Sequence, residues 1–231
     1  MTGRFRIAAL VPMRHDSERV PGKNYRPCAG RPLYHWVVES LRASRLVTEV
    51  VLDTDSPVIL ADAARAFPEV RLLERPPHLR DGLTPMNEVL LHDVDVVEAD
   101  LYLQTHSTNP LLRVETIDAA LERFLLSRGE NDSLFSVTRL QARLWSAEGR
   151  PLNHDPDVLL RTQDLPPVYE ENSCLYVFDG ATLRARGNRL GARPILHEID
   201  AVEAWDIDEE LDFTVAELLL ERRAAAKGSA A

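Results

Sequence analysis

The alternation of apolar and polar positions is sharpest in the first half of the chain. Ile7 to Pro12 is a short apolar run, the pattern of a strand buried on both faces. A polar loop follows from Arg14 to Arg31. Pro32 then opens a helical stretch through Ser44, with Leu33, Trp36, Val37 and Leu41 along one stripe. Glu49 to Leu52 reads as a second strand. Ser56-Pro57 reads as an N-cap followed by proline in the first turn of a helix ending near Phe67. Val70 to Leu73, Leu101 to Gln104 and Leu134 to Thr138 repeat the strand pattern. Helical stretches over Pro85 to Val97 and Val114 to Arg128 separate them. His92, Asp93 and Asp95 lie on the first of these helices and are expected to face solvent.

Strand and helix alternating at this spacing imply an α/β fold, three-layered and Rossmann-like, around a mostly parallel sheet with right-handed crossovers. In such sheets the ligand site lies beyond the carboxyl ends of the strands. The loops after Pro12, Leu52, Leu73 and Gln104 are therefore the ones to inspect. The period breaks between Leu140 and Asn172, where Pro151, Pro156, Pro166 and Pro167 fall. Leu144, Trp145, Leu152, Val158 and Leu159 within it need burial, so the stretch is expected to be an irregular arm or lid. Cys174 to Phe178 and Arg193 to Ile199 read as two more strands. A last helix is expected from near Asp208 to Arg223, with Leu211, Val215, Leu218 and Leu219 as its apolar face. Residues 1–223 thus read as one domain and 224–231 as a disordered tail.

Charge and cysteine content narrow the function classes. With 27 basic and 37 acidic residues the net charge is −10, so the broad basic surface of a nucleic-acid binder is missing. No apolar run is long enough to span a membrane, and the flanks of Ile7 to Val11 do not suit a signal peptide. Cys28 and Cys174 are too far apart for a zinc or CxxC motif, and Cys174 is expected in the core. A cytoplasmic location follows as the default. Lysine occurs only at Lys23 and Lys227, and the arginines supply the remaining basic charge. A compact ammonium and a planar guanidinium do different work at a phosphate, which singles out Lys23.

Three constellations could carry chemistry. Arg14, Arg19 and Lys23 surround Pro21-Gly22 directly after the first strand. The loop lacks the dinucleotide GxGxxG and the Walker A pattern. Read alone, it fits either a phosphate site or a solvated loop. Asp206 and Asp208, one residue apart, could share a hard divalent cation, or Asp208 could simply cap the last helix. The polar run from Gln104 to Asn109 suits a polyhydroxylated ligand or ordinary turn chemistry. The histidines form no HExxH pair, and no GxSxG elbow is present.

Arg14 to Asn24 resembles the signature loop of the sugar-acid cytidylyltransferases, the family of CMP-sialic acid and CMP-Kdo synthetases. Thr54-Asp55, Arg75-Pro76 and Leu103-Gln104 follow in the family's order. Glu171-Asn172-Ser173-Cys174-Leu175-Tyr176 is similar to its ENGSFY-like strand, and Asp206 to Asp212 to its DIDTxxDL motif. The resemblance covers residues 6 to 220 and departs at three places. Glu18 stands where many members carry a second loop lysine, with Arg19 beside it as a substitute. The loop after Gln104 is longer, and Ser173 replaces a glycine.

The resemblance implies transfer of CMP from CTP to a 2-keto-3-deoxy sugar acid. Arg14 and Lys23 would hold the triphosphate, and Ser17, Arg19, Asn24 and Arg75 would line the nucleotide site. Asp206 and Asp208 would hold Mg²⁺ or Mn²⁺. Gln104, Asn172 and Tyr176 would contact the sugar, and the arm would build a homodimer. Kdo or another sugar as acceptor, or a nucleotide-binding homologue without turnover, are the alternatives.

Overall fold

The computed structural model describes residues 5–228; residues 1–4 and 229–231 lie outside the described residues, and with them part of the expected tail. In chain order the elements are β1 (Ile7–Met13), β2 (Pro27–Cys28), β3 (Arg31–Pro32), α1 (Leu33–Ala43), β4 (Glu49–Thr54), α2 (Pro57–Ala66) and β5 (Arg71–Glu74). Then come α3 (Met86–Val96), β6 (Leu101–Gln104), α4 (Val114–Ser127), β7 (Ser133–Leu140), β8 (Val168–Phe178), α5 (Gly180–Arg186), β9 (Pro194–Glu198) and α6 (Glu210–Gly228). The predicted elements of the first half all form. Ser56 caps α2 by accepting from the Ile59 amide, with Pro57 in the first turn.

Seven strands make one sheet in the order β5-β4-β1-β6-β8-β7-β9. β5, β4, β1 and β6 run parallel, as do β7 and β9, and β8 alone is antiparallel to its neighbours. From β1 the chain moves outward through β4 to β5, then returns to place β6 on β1's other side. That reversal opens a crevice at the carboxyl ends of β1 and β6.

Period-two alternation along β1 feeds two cores. Ile7, Ala9, Val11 and Met13 pack with Tyr34, Val37, Ile59 and Ile117 from α1, α2 and α4. Ala8 and Leu10 face Leu90 and Val94 of α3 and Leu183 of α5 on the other side. Three layers result. Among the described residues no helix is long and apolar enough to cross a membrane.

Four expectations need correction. β8 begins at Val168, inside the stretch expected to be irregular, because its first residues continue the pairing with β7 as far as Leu140 opposite Val168. The irregular part is the 141–167 tip of that two-stranded projection. α6 runs through Gly228 instead of ending at Arg223, consistent with the high helix propensity of its Ala224-Ala225-Ala226 run. Its buried stripe is Phe213, Ala216 and Leu220, packed on Val20, Cys28 and Leu33, whereas Leu211 and Leu218 are exposed. Asp93 is fully buried, since it shares a stripe with Val89, Leu90 and Val94; Asp95 is exposed and pairs with Arg184.

Asp93 lies beneath the sheet edge with Asp53 and Arg75. Arg75 Nε donates to Asp53 Oδ2 at 2.9 Å, while Asp53 Oδ1 and Asp93 Oδ2 are buried without a hydrogen-bond partner. Burial, and then the Asp53 charge, push Asp93 up to about 8, against the pull of Arg75. The folded protein therefore keeps a proton that an unfolded aspartate releases near pH 4. Stability from this group is complete below about pH 4 and is lost as pH rises toward about 8. Asp93→Asn keeps the neutral shape. Its melting temperature relative to wild type should climb by a few degrees between about pH 5 and pH 9. A difference that does not change with pH would mean that Asp93 is ionised throughout.

Candidate active site

The loop after β1 is fastened before it reaches the crevice. The His15 amide donates to Asp55 Oδ1 at 2.7 Å, and the His15 ring meets Ser56 Oγ. Asn24 Nδ2 donates to the Arg14 carbonyl at 2.8 Å, while its Oδ1 accepts from Ser107 at 2.7 Å. Asn24 thus joins the two loops that flank the crevice. Gly22 turns the chain with φ +66°, and a Cβ there would stand 3.0 Å from the Tyr25 ring, so the turn requires glycine. Beyond these ties a cavity of about 530 Å³ opens, lined by Arg14, Ser17, Arg19, Lys23, Asn24 and Arg75 among others. The structure therefore gathers all the sequence-predicted nucleotide residues around one cavity. Arg75 is nevertheless committed to its buried pair with Asp53 and offers little beyond the cavity wall.

Lys23 reaches across the crevice to the segment before α6. Its ammonium donates to the Ile207 carbonyl, and Asp206 and Asp208 both act on it electrostatically. Arg19 pairs with Asp208 at 2.5 Å, and Arg26 with Glu210 at 2.7 Å. Burial lowers Lys23 from its ordinary value despite the two carboxylates. Burial likewise raises Asp206, opposed by a Thr108 hydroxyl contact and by Lys23. Asp206 Oδ1 is buried and has no partner, a costly state that a bound cation would relieve. Among the described residues no group of three or more His, Cys, Asp or Glu could hold a metal alone. Two carboxylates completed by phosphate oxygens and water are the donor set that Mg²⁺ accepts, so Asp206 and Asp208 fit the ion.

Asp208 is not the helix cap. α6 starts at Glu210, and Asp212, from inside the first turn, accepts from the amides of Asp208 and Glu209 at 3.0 and 2.8 Å. That back-bond satisfies the orphan donors of the helix start and leaves the Asp208 carboxylate to the crevice.

On the other side of Asp206 lies a cleft of about 510 Å³ bordered by Glu170, Glu171, Asn172, Ser173, Asp206 and Asp208. Asn172 stands in its wall with both amide atoms spent. Its Oδ1 accepts from Ser136 Oγ and the Cys174 amide, and its Nδ2 donates to Thr138 Oγ1. These bonds pin a bulge in β8 opposite Ser136. Ser173 adopts φ +57°, which explains why glycine suits this position; a side chain there costs roughly 1 kcal/mol. Tyr176 is buried, and its hydroxyl donates to Glu171 at 2.5 Å.

Gln104 is likewise buried. Its Oε1 accepts from Arg189 at 2.6 Å, and its Nε2 donates to the Thr105 carbonyl and to His106 Nε2, each at 3.0 Å. Burial, with Arg189 and Lys23 nearby, pushes His106 down to about 3, so it is neutral and accepts that bond. The uncharged run after Gln104 is largely internal. Thr105 bonds the Cys174 carbonyl, Ser107 bonds Asn24, and the Thr108 carbonyl takes the Ile207 amide. Sequence reasoning missed Glu171, His106 and Arg189. The first two stand inside quoted motifs, but no local pattern marks Arg189.

A family profile described as Cytidylyltransferase matches residues 8–222. The chain is 28% identical over 219 residues to N-acylneuraminate cytidylyltransferase A of Danio rerio, covering 91% of this chain and 50% of that protein. It therefore spans about half the length of such vertebrate relatives. It is 29% identical over 240 residues to the CMP-N,N'-diacetyllegionaminic acid synthase of Legionella pneumophila, covering 94% and 97% of the two chains. The fold matches a solved CMP:2-keto-3-deoxy-manno-octonic acid synthetase complexed with CTP at TM-score 0.70 and 15% identity, over 94% of this chain and 99% of that one.

The capping geometry separates the two aspartates experimentally. Asp212→Ala removes a cap worth about 1 kcal/mol and should lower the melting temperature by roughly 2–4 °C. Asp208→Ala should stay within about a degree of wild type, as surface substitutions usually do. Equal losses in thermal melts would return the capping role to Asp208.

Proposed function

Because the chain belongs to the cytidylyltransferase family, we propose that it joins CTP to a 2-keto-3-deoxy sugar acid of the nonulosonic type, giving a CMP-sugar and pyrophosphate. The observation that carries this reading is the meeting of Lys23 with the Asp206–Asp208 segment beside a cavity bearing Arg14 and Arg19. Cations for a triphosphate and carboxylates for its counter-ion stand on opposite sides of one crevice. The names of the zebrafish and Legionella relatives support the nonulosonic class of acceptor.

The acceptor's anomeric hydroxyl attacks the α-phosphorus. A new O–P bond forms, the bond to the β-phosphate oxygen breaks, and the hydroxyl proton is released. Such a reaction calls for charge neutralisation and in-line placement more than covalent help. Arg14 and Lys23 balance the triphosphate, Arg19 supplements them, and Ser17 and Asn24 shape the wall. Asp206 and Asp208 would hold Mg²⁺ or Mn²⁺, and that ion would supply charge neutralisation and make the attacking hydroxyl more acidic. Gln104, Asn172 and Tyr176 shape the acceptor side, mostly by holding other groups in place. Ser173 narrows that side, which favours a nonulosonic acid other than N-acetylneuraminate. A cytoplasmic location, where CTP is made, accords with two free buried cysteines.

The reading includes a homodimer. At the tip of the β7–β8 projection Trp145, Leu152 and Leu159 are exposed, Leu159 at 88%, and an apolar group of this kind marks a contact surface. Light scattering should give about twice the 26.0 kDa chain mass; a monomer at micromolar concentration would remove the arm's role.

Pyrophosphate release with CTP and a panel of N-acetylneuraminate, N,N'-diacetyllegionaminate, pseudaminate and Kdo tests the function. Activity should appear with one of the first three, with N-acetylneuraminate not the best, and should vanish in EDTA. Lys23→Ala should lower kcat/KM by about 10²-fold or more, and Lys23→Arg should rescue it poorly. CTP binding without turnover of any acid would instead mark a nucleotide-binding homologue.

A further inference from the structure

The acceptor side of the crevice has a charge problem. A sugar acid arrives as an anion, yet the cleft next to Asp206 is bordered by Glu170, Glu171, Asp206, Asp208 and Asp212 and by no lysine or arginine. The cations of the nucleotide cavity are occupied by phosphates once CTP is bound. A divalent ion at Asp206 and Asp208 would be drawn on by the phosphates, and no side chain bordering this cleft offsets the acceptor's carboxylate.

Arg189 stands where such a side chain is needed. It borders a small cleft together with Met86 and Glu171. Met86 also borders the nucleotide cavity, and Glu171 the acidic cleft, so Arg189 lies at the junction of the two. Its guanidinium lies over the buried Tyr176 ring, with Cζ 3.5 Å from the centroid, and donates one N–H to Gln104 Oε1 at 2.6 Å. No carboxylate lies within ion-pair distance of it among the described residues. Glu171, the acid in the same cleft, accepts from the Tyr176 hydroxyl. A planar fork held flat on an aromatic face, half-buried and without an acid partner, is preorganised for bidentate recognition of a carboxylate. Neutral His106 fills the space toward Lys23, so no second positive charge competes there.

Resting on the function proposed above, we propose that Arg189 is the residue that recognises the carboxylate of the acceptor acid. In a 2-keto-3-deoxy acid that carboxylate is bonded to the carbon bearing the attacking hydroxyl. Anchoring it therefore also orients the nucleophile toward the α-phosphorus. Gln104 and Tyr176 act as positioning residues: one fixes the rotation of the guanidinium and the other supports its face.

The test uses the full chain and the panel acid with the highest wild-type kcat/KM. Arg189→Gln should raise the acceptor KM by about 10- to 100-fold, the effect of losing a charged hydrogen-bonded pair, while the CTP KM stays within about twofold. Arg189→Lys should recover part of the loss. Wild type should bind the free acid more tightly than its C1 methyl ester by a similar factor, and this preference should collapse in Arg189→Gln. An unchanged acceptor KM, acceptor and CTP KM values rising together, or a preference for acid over ester that survives in Arg189→Gln would each overturn the assignment. Wild type that turns over none of the panel acids would overturn it too, by removing the function on which it rests, and that failure is visible before any variant is made.

Discussion

The site depends on one contact between distant parts of the chain, the Lys23 ammonium seated on the Ile207 carbonyl between Asp206 and Asp208. It joins the loop after β1 to the segment that leads into α6. Arg19–Asp208 and Arg26–Glu210 run alongside it, and Phe213 packs beneath Arg26 at 4.2 Å. The underlying apolar cluster of Val20, Cys28, Leu33, Ile207, Phe213 and Leu220 gives both segments one floor. The exposed ion pairs contribute little by themselves, since such pairs are worth about 0–1 kcal/mol. Their role is to hold cations and carboxylates at a fixed separation.

That separation is electrostatically tense. Burial lowers Lys23 and raises Asp206, so each partner is less comfortable as an ion than it would be in water. Asp206 also keeps an unpartnered buried oxygen. A triphosphate would draw on the cations and a divalent ion on the carboxylates, and each ligand would relieve the half it joins. The rest of the crevice is far more settled. Asn24, Asn172, Gln104 and the Tyr176 hydroxyl all have internal partners, so they act mainly as a frame for a few reactive charges.

The parallel half of the sheet was legible because its cues are local: unbroken apolar runs, Ser56-Pro57 at a helix start and prolines at element edges. The charged motifs were legible for a related reason, since strand-end loops are the place where α/β folds put ligands. What escaped depends on contacts between distant residues. The reversed direction of β8 is invisible in its own apolar run. Asp93 reads as surface until Asp53 and Arg75 are brought beside it, and Asp208 reads as a cap until Asp212 is seen bonding the two amides before it. Arg189 follows a short helix with no pattern of its own and gains meaning only from Tyr176 beneath it and Gln104 at its edge. Ser173 lies between: the departure from glycine was readable, but its left-handed backbone was not.

We propose that the Asp206–Asp208 pair accepts a divalent cation only together with a nucleotide, because the described residues alone offer too few ligands. Titration of Mn²⁺ followed by electron paramagnetic resonance, with and without CTP and in the absence of any acceptor, tests it directly. Wild type should bind one Mn²⁺ per chain at least about 10-fold more tightly with CTP than Mn²⁺ binds to CTP free in solution, a coupling of about 1.4 kcal/mol, and Asp206→Asn should abolish that gain. The same Mn²⁺ affinity in wild type and Asp206→Asn at saturating CTP would contradict the account.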